Sequence, residues 1–133
     1  MINYDFQEKI NELKSFLDRK EVNIIKEAIN IDNNNTDNCY CQLRGKHKDK
    51  IINIHLKPYD ENSLSIFYSF WLVENKHNIK MSPVIEYSII EIPPEKKELN
   101  KIFGQSFNTF IEMLKIYAKM NKEIENGEVK FQF

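Results

Sequence analysis

Alternating apolar and polar positions are clearest in the middle of the chain, where the most apolar segment is SLSIFYSFWLV at residues 63–73. One parity of this segment is entirely apolar, and the other mixes serines with Phe67, Trp71 and Val73. Because side chains of a strand alternate between two faces, the segment is predicted to be a central strand with one face on the core. The second face is apolar only toward its C-terminal end, so we expect a helix or loop to cover that end.

Three further strands are predicted from the same alternation, at residues 39–44, 52–57 and 84–92. A hairpin turn is predicted at 45–50, and Pro58 is predicted to end the second strand. Residues 74–80 are predicted to be a polar loop. Four consecutive strands with short polar connections predict an antiparallel meander.

Helical periodicity appears on both sides of these strands. Residues 4–19 predict an amphipathic helix with Asp5 near its start, and 21–30 predict a second helix or a continuation of the first. A broad apolar stripe over 95–125 predicts a long C-terminal helix, either bent near Gly104 or divided into two pieces at about 95–103 and 106–125. The tail, residues 128–133, alternates cleanly and predicts a short last strand.

These elements predict a single α+β domain spanning residues 1–133. Its core is predicted to form where the C-terminal helix covers the apolar face of the meander. The residues expected in this core are Ile52, Ile54, Leu56, Leu64, Ile66, Phe70 and Ile90 in the strands, with Phe103, Phe107, Phe110 and Leu114 in the helix.

Composition and charge narrow the class of protein. The chain has 133 residues, of which 41% are hydrophobic and 29% charged, as in soluble globular proteins. No apolar run approaches the ~20 residues of a membrane-spanning helix. The start has acidic residues and no apolar segment, so it does not read as a signal peptide, and we expect a cytoplasmic protein without a membrane partner.

The charges are unevenly distributed although the net charge is −1. Residues 1–38 carry five basic and eight acidic side chains, a balance of −3, whereas residues 39–60 carry five basic and two acidic side chains, a balance of +3. Since the whole chain has no basic excess, we do not expect nucleic acid as the partner.

Candidate chemistry is sparse. Cys39, Cys41 and His55, with His47 and His77 further away, are the only set of metal-ligand types, and the spacing of the cysteines is too short for a structural zinc site. The three glycines form no phosphate-binding loop. We therefore expect no cofactor, no metal site and no catalytic residues, and we expect both cysteines to be reduced and partly buried.

The chain combines N-terminal helices, a meander, a long helix and a strand-like tail, and it has no catalytic motif. In these features it resembles the small cytoplasmic immunity proteins of bacterial toxin systems, including contact-dependent growth inhibition. The resemblance rests on size, composition and element order over the whole chain. It implies a non-catalytic protein that neutralises one cognate toxin by binding it. The alternatives are a phage-encoded inhibitor, a secretion-type chaperone that dimerises and holds a client on its sheet, and a small enzyme.

Two charged surfaces are candidates for contact with a partner. Toxins that attack nucleic acid carry basic sites, so the acidic N-terminal segment is the first candidate, through Glu8, Glu12, Asp18 and Glu21. The alternative is the basic turn, which would suit an acidic partner, through Arg44, Lys46, Lys48 and Lys50. The oligomeric state does not follow from the sequence.

Overall fold

In the described part of the chain, one helix precedes a five-stranded antiparallel meander and one helix follows it. The computed structural model describes residues 2–48, 50–74 and 79–125, with the side chains of all of these except 71–74, 79–83 and 120–125. The elements are α1 (Phe6–Arg19), β1 (Val22–Asn30), a 3-10 turn (Thr36–Asn38), β2 (Tyr40–His47), β3 (Lys50–Asp60), β4 (Ser63–Glu74), β5 (Ile79–Glu91) and α2 (Lys96–Glu125). The strands lie in sequence order in one sheet, so the predicted α+β class with an antiparallel meander is confirmed.

The N-terminal helix forms as its periodicity predicted. Its apolar stripe is buried, and the side chain of Asp5 caps the first turn by accepting a hydrogen bond from the backbone N–H of Glu8 at 3.2 Å. The helix ends at Arg19, and Glu21 follows with a φ of 62°, which turns the chain toward the sheet.

The prediction of a second N-terminal helix at 21–30 is wrong, because this segment is β1, an edge strand that pairs with β2 along most of its length. A bulge between Ile24 and Lys26 explains the misleading pattern. Val22 and Ile24 face the core before the bulge, and Ile29 faces it afterwards. The inserted residue shifts the two-residue repeat by one position, so the core-facing residues recur at intervals that resemble those of a helix. The sheet consequently has five strands rather than four.

Three predicted strand boundaries also need correction. Gly45 to His47 belong to β2, and the turn is at Lys48, whose φ is 57°. The second predicted strand continues past Pro58 to Asp60, because a bulge between these two residues accommodates the missing proline N–H. Residue Ile79, predicted in a loop, begins β5.

The C-terminal helix α2 is one element of 30 residues that runs through Gly104, rather than two pieces. A Cβ added to Gly104 would lie 3.8 Å from the ring of Phe16, an ordinary contact, so α2 passes close to α1 at this point. The predicted C-terminal strand at 128–133 lies outside the described residues. None of the described helices is long and apolar enough to cross a membrane.

Both helices pack on the same face of the sheet, and the predicted core is confirmed with one exception. All the core residues named from the sequence are buried except Phe70, which is half-buried and packs against the cluster's edge. The aromatic rings of Phe16, Phe103, Phe107 and Phe110 join the two helices to each other and to Tyr68 of β4.

Candidate binding surface

Neither described helix packs on the opposite face of the sheet, whose described side chains are exposed or half-buried apart from Ser63 and Ser69, which are buried. Directly opposed residues of neighbouring strands point to the same face, so the strand register defines this surface, called here the open face. Its central residues are Lys26, Ala28, Gln42, Arg44, Lys46, Ile51, Asn53, His55, Lys57, Ser65, Phe67, Ser69, Ile85, Tyr87 and Ile89.

The part of the open face formed by β5 is apolar, and β4 adds Phe67 between two serines. Tyr87 is 55% exposed, Ile89 49% and Ile85 44%, and Ile51 on β3 is also exposed. Large side chains of this kind are scattered singly on most monomers, whereas here three of them follow each other on one strand. Such a grouping is typical of a surface that another molecule covers.

An aromatic row crosses three strands at the middle of this face. His55 lies directly opposite Phe67, with ring centroids 5.7 Å apart, and Phe67 lies directly opposite Tyr87 on β5. Rings of this size supply much contact area with few rotatable bonds, which makes them common anchors of protein interfaces. Partial burial lowers the pKa of His55, which favours the neutral form of its ring.

The half of the open face formed by β1, β2 and β3 is cationic. Lys26 lies opposite Arg44, which donates a hydrogen bond from Nε to Oδ1 of Asn53 at 3.2 Å. Lys46 and Lys57 lie on the same face. Among the described side chains of this face, carboxylates occur only in its last row, at Asp60 and Glu91 beside Ser63.

The four carboxylates predicted to face a basic partner lie on α1 and just after it. Glu8 is 3.4 Å from Lys96 of α2, and Glu12 is 3.4 Å from Lys9. Asp18 and Glu21 are exposed at the other end of the helix. The set is therefore interspersed with lysines, two of which form ion pairs with its members.

The four residues of the alternative basic set do not lie together on one face of the sheet. Arg44 and Lys46 lie on the open face, and Lys48 lies in the turn. Lys50 lies opposite His47, on the face that carries the helices. Sequence reasoning thus found two of the open face's cations and missed Lys26 and Lys57.

The sequence pattern could have revealed some of the open-face residues that were missed. Three of the four odd positions of 84–92 are apolar, namely Ile85, Tyr87 and Ile89, and this indicates from the sequence alone that the strand has apolar side chains on both faces. Lys26 could not be placed while its segment was read as a helix. Phe67 is visible in the sequence as an apolar residue at the positions of 63–73 that alternate with the core-facing ones, between Ser65 and Ser69.

The best metal-ligand set in the sequence does not assemble. Cys41 points to the core side of β2, whereas His55 lies on the open face. Cys39 is buried, and its Sγ lies 3.3 Å from the backbone N and 3.4 Å from the backbone O of Asp32. Burial raises the pKa of the Cys41 thiol to about 11, which makes it a poor nucleophile. The described residues contain no group of three metal-ligating side chains.

A cavity of about 630 Å³ lies between the N-terminal segment and the connection from β1 to β2. Its polar wall includes Asp32, whose carboxylate accepts hydrogen bonds from the backbone N–H of Asn34 at 2.9 Å and from Asn38 at 3.4 Å. These bonds lower the pKa of Asp32 and hold the loop in shape. The arrangement accounts for this carboxylate as a structural group rather than an acid or base.

The sequence and the structure were also compared with known proteins. No family model, no curated protein and no solved structure matches this chain.

Proposed function

We propose that this protein is a non-catalytic binding domain that neutralises a protein partner, as toxin immunity proteins do, and that it binds the partner with its open face. The observation that supports this proposal most is the aromatic row of His55, Phe67 and Tyr87 on a sheet face that neither described helix covers. A partner that covers these side chains would remove their apolar area from water, which stabilises a complex by about 25 cal/mol for each Å² buried.

The described groups offer little support for catalysis. The two thiols are buried, His55 has no carboxylate in its own row, and the cavity that His55 lines with Lys26 and Arg44 has a volume of only about 200 Å³. Most small-molecule sites are larger, at about 300–1,000 Å³, so the aromatic anchors of this face suit the recognition of another protein better than the enclosure of a small substrate.

The proposal is tested with the protein encoded by the gene next to this one, in an assay of binding and an assay of protection from its toxicity. Phe67→Ser and Tyr87→Ser should each weaken binding at least about ten-fold and reduce protection. Ile116→Ser is the matched control, because Ile116 is 60% exposed on α2, away from the open face. It should leave both readouts unchanged.

Equal loss in the control variant, or full binding by both open-face variants with unchanged melting temperatures, would contradict the proposal. A secretion-type chaperone is the second candidate, because an uncovered sheet could also hold an extended client. It would appear as a dimer in light scattering and would bind unfolded clients rather than one folded partner.

A further inference from the structure

We propose that the partner surface recognised by the open face is a protein surface with an apolar patch beside a cluster of carboxylates, the opposite sign from the basic toxin site expected from the sequence. This inference rests on the proposed function and specifies the chemistry of the partner. It follows from how charge and apolar area are divided between the two halves of the open face.

The positive charges of the open face indicate the charge of the partner's surface. Lys26, Arg44, Lys46 and Lys57 supply four positive charges on β1, β2 and β3, and the described carboxylates of this face lie only in its end row. Ionic groups across an interface are arranged with opposite signs, since like charges that face each other destabilise the complex. Carboxylates of the partner are therefore expected over this half.

The same charges argue against a second copy of the chain as the occupant. Stacking two open faces against each other with their strands aligned would bring the cationic half of one against a face that carries almost no negative charge. Among the described side chains of this face, only the carboxylates of Asp60 and Glu91 in the end row would be available to pair with those cations.

Single-stranded nucleic acid also combines negative charge with groups that stack on aromatic rings, but the arrangement here fits it less well. Successive bases and phosphates alternate along a strand, so rings and cations should be interleaved. On the open face the described cations lie on β1, β2 and β3, whereas Ile85, Tyr87 and Ile89 on β5 form a patch without one. Aliphatic side chains around the rings favour the apolar patch of a protein.

The first experiment uses probes rather than the unidentified partner. The full ¹⁵N-labelled chain is titrated at low ionic strength with a peptide of about twelve residues alternating Glu and Tyr, with the matching Lys and Tyr peptide, and with oligothymidine of about fifteen nucleotides. The acidic peptide should shift the amide signals of Arg44, Asn53 and Phe67, and the basic peptide should leave them unchanged. Tighter binding of the basic peptide, or of the oligonucleotide, would overturn the inference, and the latter would indicate nucleic acid.

Charge-reversal variants show whether the effect belongs to this face. Arg44→Glu with Lys57→Glu should reduce binding of the acidic peptide at least five-fold, and the difference should fade as salt is raised. Lys97→Glu with Lys101→Glu is the matched control, since both lysines are exposed on α2. Equal losses from the two pairs would contradict the inference.

The same two pairs are then compared against the neighbouring gene's protein. If that protein does not bind the chain at all, the proposed function fails while the peptide result still reports the chemistry of the open face. If it binds and the Arg44 and Lys57 reversal leaves its association rate unchanged at low salt, the inference about the partner's charge fails and the proposed function stands.

Discussion

The ring of Tyr68 on β4 stacks on the ring of Phe110 on α2, with centroids 5.5 Å apart and planes inclined by 21°. Both side chains are completely buried, so this pair fixes α2 against the middle of the sheet. Phe107 contacts the same tyrosine edge-on and also contacts Phe16, which connects α1 to the pair. The stack is thus the point where α1, α2 and the sheet meet.

Phe110→Ala should lower the free energy of unfolding by about 3–5 kcal/mol, because it removes a buried ring and leaves a cavity. Phe70→Ala should cost less, since Phe70 is half-buried and has Tyr117 as its aromatic neighbour, with centroids 6.0 Å apart. Urea unfolding of both variants provides the comparison. A cost below about 1 kcal/mol at Phe110 would show that α2 is not packed as described.

Tyr68→Phe should leave stability unchanged or raise it by about 1 kcal/mol. The hydroxyl of Tyr68 is buried and has no hydrogen-bond partner among the described residues. Removing an unsatisfied buried hydroxyl removes its desolvation cost while the ring stack is kept. Urea unfolding of this variant gives the measurement. A decrease in the free energy of unfolding above about 1 kcal/mol would mean that the hydroxyl makes a stabilising hydrogen bond.

Gly45→Ala should destabilise the protein by about 1–3 kcal/mol through overpacking. A Cβ built at Gly45 would lie 2.5 Å from Cγ1 of Val22 on the neighbouring strand, so the side chain of Val22 or the strand that carries it would have to move. Thermal unfolding gives the measurement. Because Val22 is itself buried, the double variant Gly45→Ala with Val22→Ala should lose less stability than the sum of the two single variants, and an additive loss would place the strain elsewhere.

Stability should fall as the pH is lowered through the range just below 6.5, in part because of His47. Burial lowers the pKa of His47, and the charge of Lys48 lowers it further. The folded state therefore favours neutral imidazole, and its stabilising effect is present above the unfolded pKa and lost as the pH falls toward the folded one. His47→Gln should flatten this part of the profile of unfolding free energy against pH. An unchanged slope would show that other groups cause the loss.

Much of the fold could be predicted because apolar periodicity reports burial directly. The even positions of β4 and the stripe of α2 identified the core, since each faces it with a regular two-residue or helical repeat. β1 was missed because its bulge breaks the repeat, and a bulge depends on pairing with β2 that no local pattern shows. The end of β3 was missed for a similar reason, because the bulge after Pro58 removes the conflict between proline and the sheet.

The candidate surface was harder to predict because it depends on which strand lies beside which. His55, Phe67 and Tyr87 are separated by twelve and twenty residues in the chain, and only the strand register brings them into one row. The same register separates Lys50 from Arg44 and Lys46, which the sequence had grouped together. Charge balance over a segment of sequence cannot show how its side chains divide between two faces of a sheet.

The central claim, that the open face binds the partner, is tested most directly by saturation transfer to isoleucine methyl groups in the complex. The deuterated chain with protonated isoleucine methyls is mixed with the protonated product of the neighbouring gene, and the partner's signals are saturated. The account predicts loss of signal at Ile51, Ile85 and Ile89, with none at Ile116 on α2 or at the buried Ile54. Loss confined to Ile116, with the three open-face methyls unaffected, would contradict it.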